Sequence, residues 1–203
     1  VDHGHVSLVG AGPGAEALVT RRAQRRRVEA DAVVDGALVP EAVVAMGRRD
    51  AERIPVGKRK GCHSKSQKEI DALLVSLGRE GKRVVRLKSG DPLIFGRAAE
   101  ELAALRAAGI SHEVVPGVTS AFAAAADFAL PLTLRGTASS LIFTTGHDLK
   151  GDALPDWAQL ALSGATVAVY MGRTVAAEVS LRLIEMGLPS DTPVAAVENA
   201  SRT

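Results

Sequence analysis

The stretch Val6-Ser7-Leu8-Val9-Gly10-Ala11-Gly12-Pro13-Gly14 decides how the rest of the chain is read. A short apolar run enters a glycine-rich turn, and an Arg/Ala/Glu-rich segment of helical character follows through about Glu29. Strand, tight turn and helix form the opening unit of a parallel sheet, because a helix must carry the chain back before the next strand can start. The unit recurs. Short β-branched runs at 33–34, 52–56, 84–87 and 113–115 alternate with helical stretches from Pro40, over 66–79 and over 96–107. In the 66–79 stretch Ile70, Leu73, Leu74 and Leu77 fall at helical spacing. The alternation predicts an α/β fold with a mainly parallel sheet, whose ligands bind outside the carboxyl ends of the strands.

Pro116-Gly117 interrupts this rhythm and divides the chain into an N-terminal α/β domain, 1–116, and a C-terminal α/β domain, 117–203. The second domain starts with an Ala-rich helix from Thr119. Its apolar residues lie nearly all round (Phe122 and Ala123 to Ala126), as in a buried helix. Strands at 141–145, 167–170 and 194–197 follow, with a loop at 146–155 and a helix at 175–186. The last of these strands is left without a covering helix or a partner, so the second domain is either a fragment or unusually small.

Composition narrows the functions. With 203 residues, 46% hydrophobic and 24% charged, the chain can bury a core and is not a disordered or fibrous segment. Lys+Arg number 25 against 23 Asp+Glu, and aromatics make up 3%, which leaves no strong basic surface and few rings to stack on bases. Nucleic acid is therefore not an expected partner. Cys62 is the one cysteine, which excludes a disulfide framework and a multi-thiolate metal site and fits the reducing cytoplasm. No run spans a bilayer and no signal peptide opens the sequence, so no membrane role is expected. No metal site is expected.

Three loops carry chemistry. The first, Gly10-x-Gly12-Pro13-Gly14, invites a dinucleotide reading, but the fingerprint needs G-x-G-x-x-G; a bare strand–helix turn is the plain alternative. The second, Ser89-Gly90-Asp91, ends a strand and suits a ligand bearing an amino group or a ribose, although Asp91-Pro92 also makes a turn by itself. Thr119 and Ser120 in the third loop offer hydroxyls or simple N-caps at a helix start. Cys62-His63 is a poor nucleophile pair because adjacent residues rarely face each other, and His3 and His5 sit in an unanchored terminus. His147 follows a strand and lines a ligand site or makes a turn contact with about equal weight.

The loops belong to a longer series: Val56-Gly-Lys-Arg59, Val85-Arg-Leu-Lys-Ser-Gly-Asp-Pro92, Ile94-Phe-Gly-Arg97, Val114-Val-Pro-Gly-Val-Thr119, Pro131-Leu-Thr133, Thr145-Gly-His147, Val169-Tyr-Met-Gly172 and Val197-Glu-Asn199. Together with Val6–Gly14 and in this order they resemble the tetrapyrrole methylases over essentially the whole chain. The resemblance implies two α/β domains with S-adenosylmethionine in a cleft between them, S-adenosylhomocysteine as the released product, and a homodimer. It implies C-methylation of uroporphyrinogen III at C2 and C7 to give precorrin-2, on the way to siroheme or cobalamin; another precorrin methylase, or a cofactor-binding homologue with impaired catalysis, is the alternative. It places cofactor contacts on Pro13, Ser89, Gly90, Asp91, Ile94, Thr119, Ser120, Met171 and Ala200. It makes Lys58 the proton donor, and charge brings Arg59, Lys88 and Arg97 toward a substrate with eight carboxylates. The aspartate proposed as base in relatives falls on Gly36, so Asp35, one place earlier, is the candidate to replace it. Ser89 also stands where relatives carry glycine. Relatives continue beyond the Val197-Glu-Asn199 motif with strands that complete the second sheet, so the second domain is expected to be incomplete at its C-terminus.

Overall fold

The computed structural model describes residues 4–58, 63–146 and 157–202. The chain forms two compact units, Val1–Ala123 with Asn199–Thr203, and Ala124–Glu198. The division falls inside a helix, past Pro116.

The first unit holds five strands, β1 (His5–Gly10), β2 (Ala32–Asp35), β3 (Glu52–Pro55), β4 (Arg83–Lys88) and β5 (Ser111–Val115), in the order β3-β2-β4-β1-β5. Every pairing is parallel. Central strands of such a sheet are covered on both faces, which is why Val6, Leu8, Val9, Val34 and Leu87 are buried in unbroken runs. Helices α1 (Arg21–Glu29) and α2 (Glu41–Val44) cover one face with Ala23, Val43 and Val44 against Val33, Val85 and Leu87. Helices α3 (Gln67–Arg79) and α4 (Ala98–Ala107) cover the other with Ile70, Leu74, Leu77 and Leu105 against Val6, Leu8, Val34 and Val84. Burial of each Leu or Val side chain here contributes about 1.5–3 kcal/mol.

Local signals set the helix limits. Ser66 and Glu69 form a reciprocal capping box at the start of α3, and Gly81, at φ 79°, turns the chain out of its end. Thr20 caps α1 by accepting from the Ala23 N–H.

The second unit carries most of α5 (Ser120–Asp127), then β6 (Leu141–Thr145), α6 (Trp157–Leu162), β7 (Thr166–Tyr170) and α7 (Ala176–Glu185). Strands β6 and β7 pair in parallel, and Phe143 meets Tyr170 edge to face at 5.6 Å. Two expectations are corrected. Residues 194–197 form no strand and Val194 is 84% exposed, since no neighbour offers it a ladder. Helix α5 buries Ala123 alone and leaves Phe122 half exposed; two turns pack on one side only, however apolar the rest. Among the described residues no helix is long and apolar enough to cross a membrane, and no cluster of His, Cys, Asp or Glu could hold a metal ion.

Candidate functional site

Connections decide where this sheet opens. From β1 the chain crosses by α1 toward β2 on one face; from β4 it crosses by α4 toward β5 on the other. Neighbouring strands β1 and β4 therefore send their following loops to opposite faces, and a crevice opens between the loops at the carboxyl edge. The glycine loops lie there. Gly12 and Gly90 exchange backbone hydrogen bonds at 3.2 and 2.7 Å, tying the loop after β1 to the loop after β4.

Glycine is required by close approach. A Cβ on Gly117 would stand 2.2 Å from the Gly90 carbonyl oxygen, and one on Gly10 would stand 2.6 Å from the Gly117 backbone. Three chain segments thus touch backbone to backbone, at the ends of β1, β4 and β5. Asp91 fastens the arrangement: Oδ2 accepts the Gly117 N–H at 3.0 Å and Oδ1 accepts the Leu93 N–H at 2.9 Å. Its carboxylate keeps spare lone pairs for a ligand, but its first job is to hold two loops. Around it Gly90 and Thr119 are buried, Ser89, Ile94 and Ser120 are partly exposed, and Phe95 and Arg97 adopt left-handed backbone angles. Residues held so at a strand edge are a form of stored strain that clusters at ligand sites.

The chain's last described residues return to the same edge. The Ser201 hydroxyl accepts the Ala15 N–H at 3.1 Å, and Arg202 donates to the Pro13 and Leu38 carbonyls at 3.4 and 3.0 Å. Pro13 is buried and Ala200 partly exposed beside this strap. The expected cofactor residues Pro13, Ser89, Gly90, Asp91, Ile94, Thr119, Ser120 and Ala200 thus all belong to the first unit. Met171 belongs to the second unit, at the carboxyl end of β7, with φ 53°. Its carbonyl would be 2.6 Å from a Cβ on Gly146, so the ends of β6 and β7 repeat the backbone contact seen in the first unit.

The charged candidates separate sharply. Lys58 is exposed, directly after Gly57, whose close contact with Ala37 joins the loops that follow β2 and β3. Arg97 is exposed and paired with Glu100 at 2.8 Å. Arg59 lies outside the described residues, as do Cys62 and His147. Lys88 is a different case: it is 8% exposed, and its ammonium donates to Glu101 at 2.8 Å. Burial pulls its pKa below the ordinary lysine range, the Glu101 charge opposing this. A ligand carboxylate would have to take it away from Glu101.

Asp35 is wholly buried. Alternation on β2 points it with Val33 toward α1 and α2, where Arg27 and Arg53 feel its charge. Arg27 is itself buried, donates to the Val44 carbonyl, and has its pKa lowered to about 10, chiefly by burial. Asp35 is therefore placed as a counter-charge within a packed layer, on the side of the sheet opposite to Arg86 and Lys88.

Sequence reading passed over the group beneath the second glycine loop. Glu101, fully buried on α4, accepts from Arg86 at 3.0 Å, from Lys88, and from Gln67 at 3.3 Å. The signal was available: charges at alternate positions of a central strand, Arg86 and Lys88, must find a buried partner.

The cradle admits what the sequence implied. No residue larger than glycine can stand at Gly10 or Gly117, where the loops meet backbone to backbone, and the Asp91 carboxylate and the hydroxyls of Thr119 and Ser120 lie beside that contact, groups that suit the adenosyl cofactor. Comparison with known proteins agrees. Siroheme synthase 1 of Cronobacter sakazakii is 50% identical over 98% of this chain, and the chain spans 42% of that protein's length. A cobalt precorrin-4 methyltransferase structure matches with TM-score 0.85 and 32% identity over 98% of this chain and 81% of the other. Uroporphyrin-III C-methyl transferase of Thermus thermophilus, solved with S-adenosyl homocysteine, matches with TM-score 0.74 and 38% identity over 92% of this chain and 74% of the other. The sequence pattern of the Tetrapyrrole (Corrin/Porphyrin) Methylases matches residues 5–203, and the chain belongs to that family.

Proposed function

We propose that this chain performs S-adenosylmethionine-dependent C-methylation of uroporphyrinogen III at C2 and C7, giving precorrin-2. The observation that carries the reading is the three-glycine contact at the β1/β4 crevice, set in a chain 38% identical to a uroporphyrin-III C-methyl transferase. Bound there, the cofactor supplies an electrophilic methyl group for in-line transfer. The protein's share is positioning and exclusion of water. Pro13, Gly90, Asp91 and Ile94 form one wall and Thr119 and Ser120 the next, with Ala200 from the same unit. Asp91, held by two backbone N–H groups, is fixed in place to accept from a ribose or amino group. Lys58 donates a proton on the substrate side, and Arg59 and Arg97 meet carboxylates. Asp35, buried on the far face, is not the base in this scheme; the proton leaving the macrocycle goes to another group or to water. The working protein is a homodimer.

A second reading, a homologue that binds cofactor without turnover, is favoured by one observation: position 36 offers no carboxylate and Asp35 is enclosed. Calorimetric titration with S-adenosylhomocysteine, with NAD as control, tests the shared part. Micromolar affinity, about −8 kcal/mol, is expected for the first ligand and none for the second. Incubation with S-adenosylmethionine and uroporphyrinogen III then separates the readings, since a product carrying two added methyl groups removes the silent one. A folded sample that binds NAD and not S-adenosylhomocysteine overturns both.

A further inference from the structure

Lys88 joins the two glycine loops. Its carbonyl accepts the Ala11 N–H at 2.7 Å, and Gly90, two residues on, exchanges hydrogen bonds with Gly12. Its ammonium, on a residue 8% exposed, donates to Glu101 of α4 at 2.8 Å. The whole loop after β4 lies in the chain between these two partners, so one buried ion pair closes it end to end. Arg86 and Gln67 also donate to Glu101, which keeps its carboxylate in place with or without Lys88.

The loop needs such a closure. Phe95 and Arg97 hold left-handed backbone angles, φ 49° and 54°, which residues with a Cβ adopt only at a cost. The stem of Lys88 supports the turn between them: a Cβ on Gly96 would stand 2.7 Å from the Pro92 carbonyl oxygen and 3.2 Å from Lys88 Cε. A buried ion pair adds little stability compared with apolar packing, and its best-attested use is to select one arrangement of the chain. The arrangement selected here is that of the stretch carrying Ser89, Gly90, Asp91 and Ile94.

We infer that Lys88 is a positioning residue of the cofactor loop: its bond to Glu101 holds residues 89–97 in the shape that binds the adenosyl cofactor, and it takes no carboxylate of the substrate. The inference rests on the methyltransferase reading for the identity of the ligand, but not for the closure of the loop.

Lys88→Met keeps the stem and removes the ammonium, so it isolates the bond. Two measurements on the purified protein read the result: calorimetric titration with S-adenosylhomocysteine, and amide hydrogen exchange over 89–97 and at Gly117. A loop that spends about a tenth of its time in the binding shape loses about tenfold in affinity, and that loss is expected. Exchange of the Leu93 and Gly117 N–H groups, both accepted by Asp91, should speed up about tenfold or more. Glu113→Gln breaks a partly exposed pair at the far end of the sheet and should change either result less than about twofold. Uroporphyrin III, followed by its fluorescence, should bind Lys88→Met within about twofold of the parent, as expected where no charged contact is lost. Glu101→Gln breaks the same bond from the other side, should show the same faster exchange, and replaces Lys88→Met if that variant does not fold. Faster exchange in the variant, with no S-adenosylhomocysteine binding by any form, upholds the closure and refutes the cofactor reading. Unchanged exchange over 89–97, or an affinity equal to that of a parent that binds, overturns the inference. Weakening of uroporphyrin III alone overturns it too, and makes Lys88 a substrate contact.

Discussion

Glu101→Gln should be the most damaging single change outside the glycine contacts. Glu101 is fully buried and carries two cations, Arg86 at 3.0 Å and Lys88 at 2.8 Å. Breaking a buried pair by removing one partner costs about 3–5 kcal/mol, because a charge is left in the interior without compensation. The amide keeps an oxygen for the Arg86 Nε but turns an NH2 toward the Lys88 ammonium, so a loss of about 3 kcal/mol is expected. In a chain of this length that lowers the melting temperature by roughly 10 °C. Lys88→Met is the contrast: it leaves Glu101 paired with Arg86 in a balanced pair and should cost about 1 kcal/mol or less.

The pH dependence supplies a second readout. Burial lowers the Lys88 pKa from 10.5, so the unfolded chain binds this proton more tightly than the folded one. Stability therefore rises with pH through the window below 10.5, as the buried ammonium is discharged. Removing Glu101 removes the two largest effects that hold the pKa up and leaves only the weaker Asp71 charge, which extends the window to lower pH, and the deficit of the variant should shrink between pH 7 and about 10. Thermal melts by circular dichroism at several pH values measure this. A Glu101→Gln variant within about 2 °C of the parent, or a Lys88→Met variant that costs as much as Glu101→Gln, would refute the reasoning.

Two further outcomes follow from the geometry. Gly117→Ala forces a Cβ to 2.2 Å from the Gly90 carbonyl and should cost about 3 kcal/mol and abolish S-adenosylhomocysteine binding. Gly90→Ala meets nothing nearer than 3.7 Å and pays only for its φ of 65°, about 1 kcal/mol, so the reverse order in denaturant melts would count against the backbone contact. At the far end of the sheet, the Arg26 hydrogen bond holds the Glu113 carboxyl below its ordinary 4.5, with Ser7 also donating to it. That stability is present above pH 4.5 and is lost as pH falls through the lower folded value. Glu113→Gln should therefore flatten the acid limb of a stability–pH profile, by less than about 1 kcal/mol since the pair is partly exposed; an unchanged limb contradicts the pairing.

Much of the first unit was legible because its signals are local and agree with one another. The runs at 6–9 and 84–87 and Ile70 to Leu77 at helical spacing each pointed to the element that forms there. What the sequence could not supply was sidedness. Lys88 was read by its charge, and Asp35 by its place beside the position of the relatives' aspartate, as groups facing a ligand, yet a strand sends successive side chains to opposite faces, and the sheet is covered on both. Lys88 accordingly meets Glu101, thirteen positions along the chain on α4, and Asp35 meets the α1/α2 layer. In the second unit the run at 194–197 had strand composition and no partner, and composition without a ladder does not make a strand.

The same reasoning explains why Gly36 matters more than its lack of a side chain suggests. It sits one residue beyond Asp35 and one strand away from Arg86, so by alternation it belongs to the face of the buried cations, not to the face of Asp35. Moving a carboxylate from position 36 to position 35 would not shift it along one site. It would transfer it through the sheet, from the Arg86 cluster to the Arg27 layer. Asp35 cannot then neutralise Arg86, however short the distance in sequence.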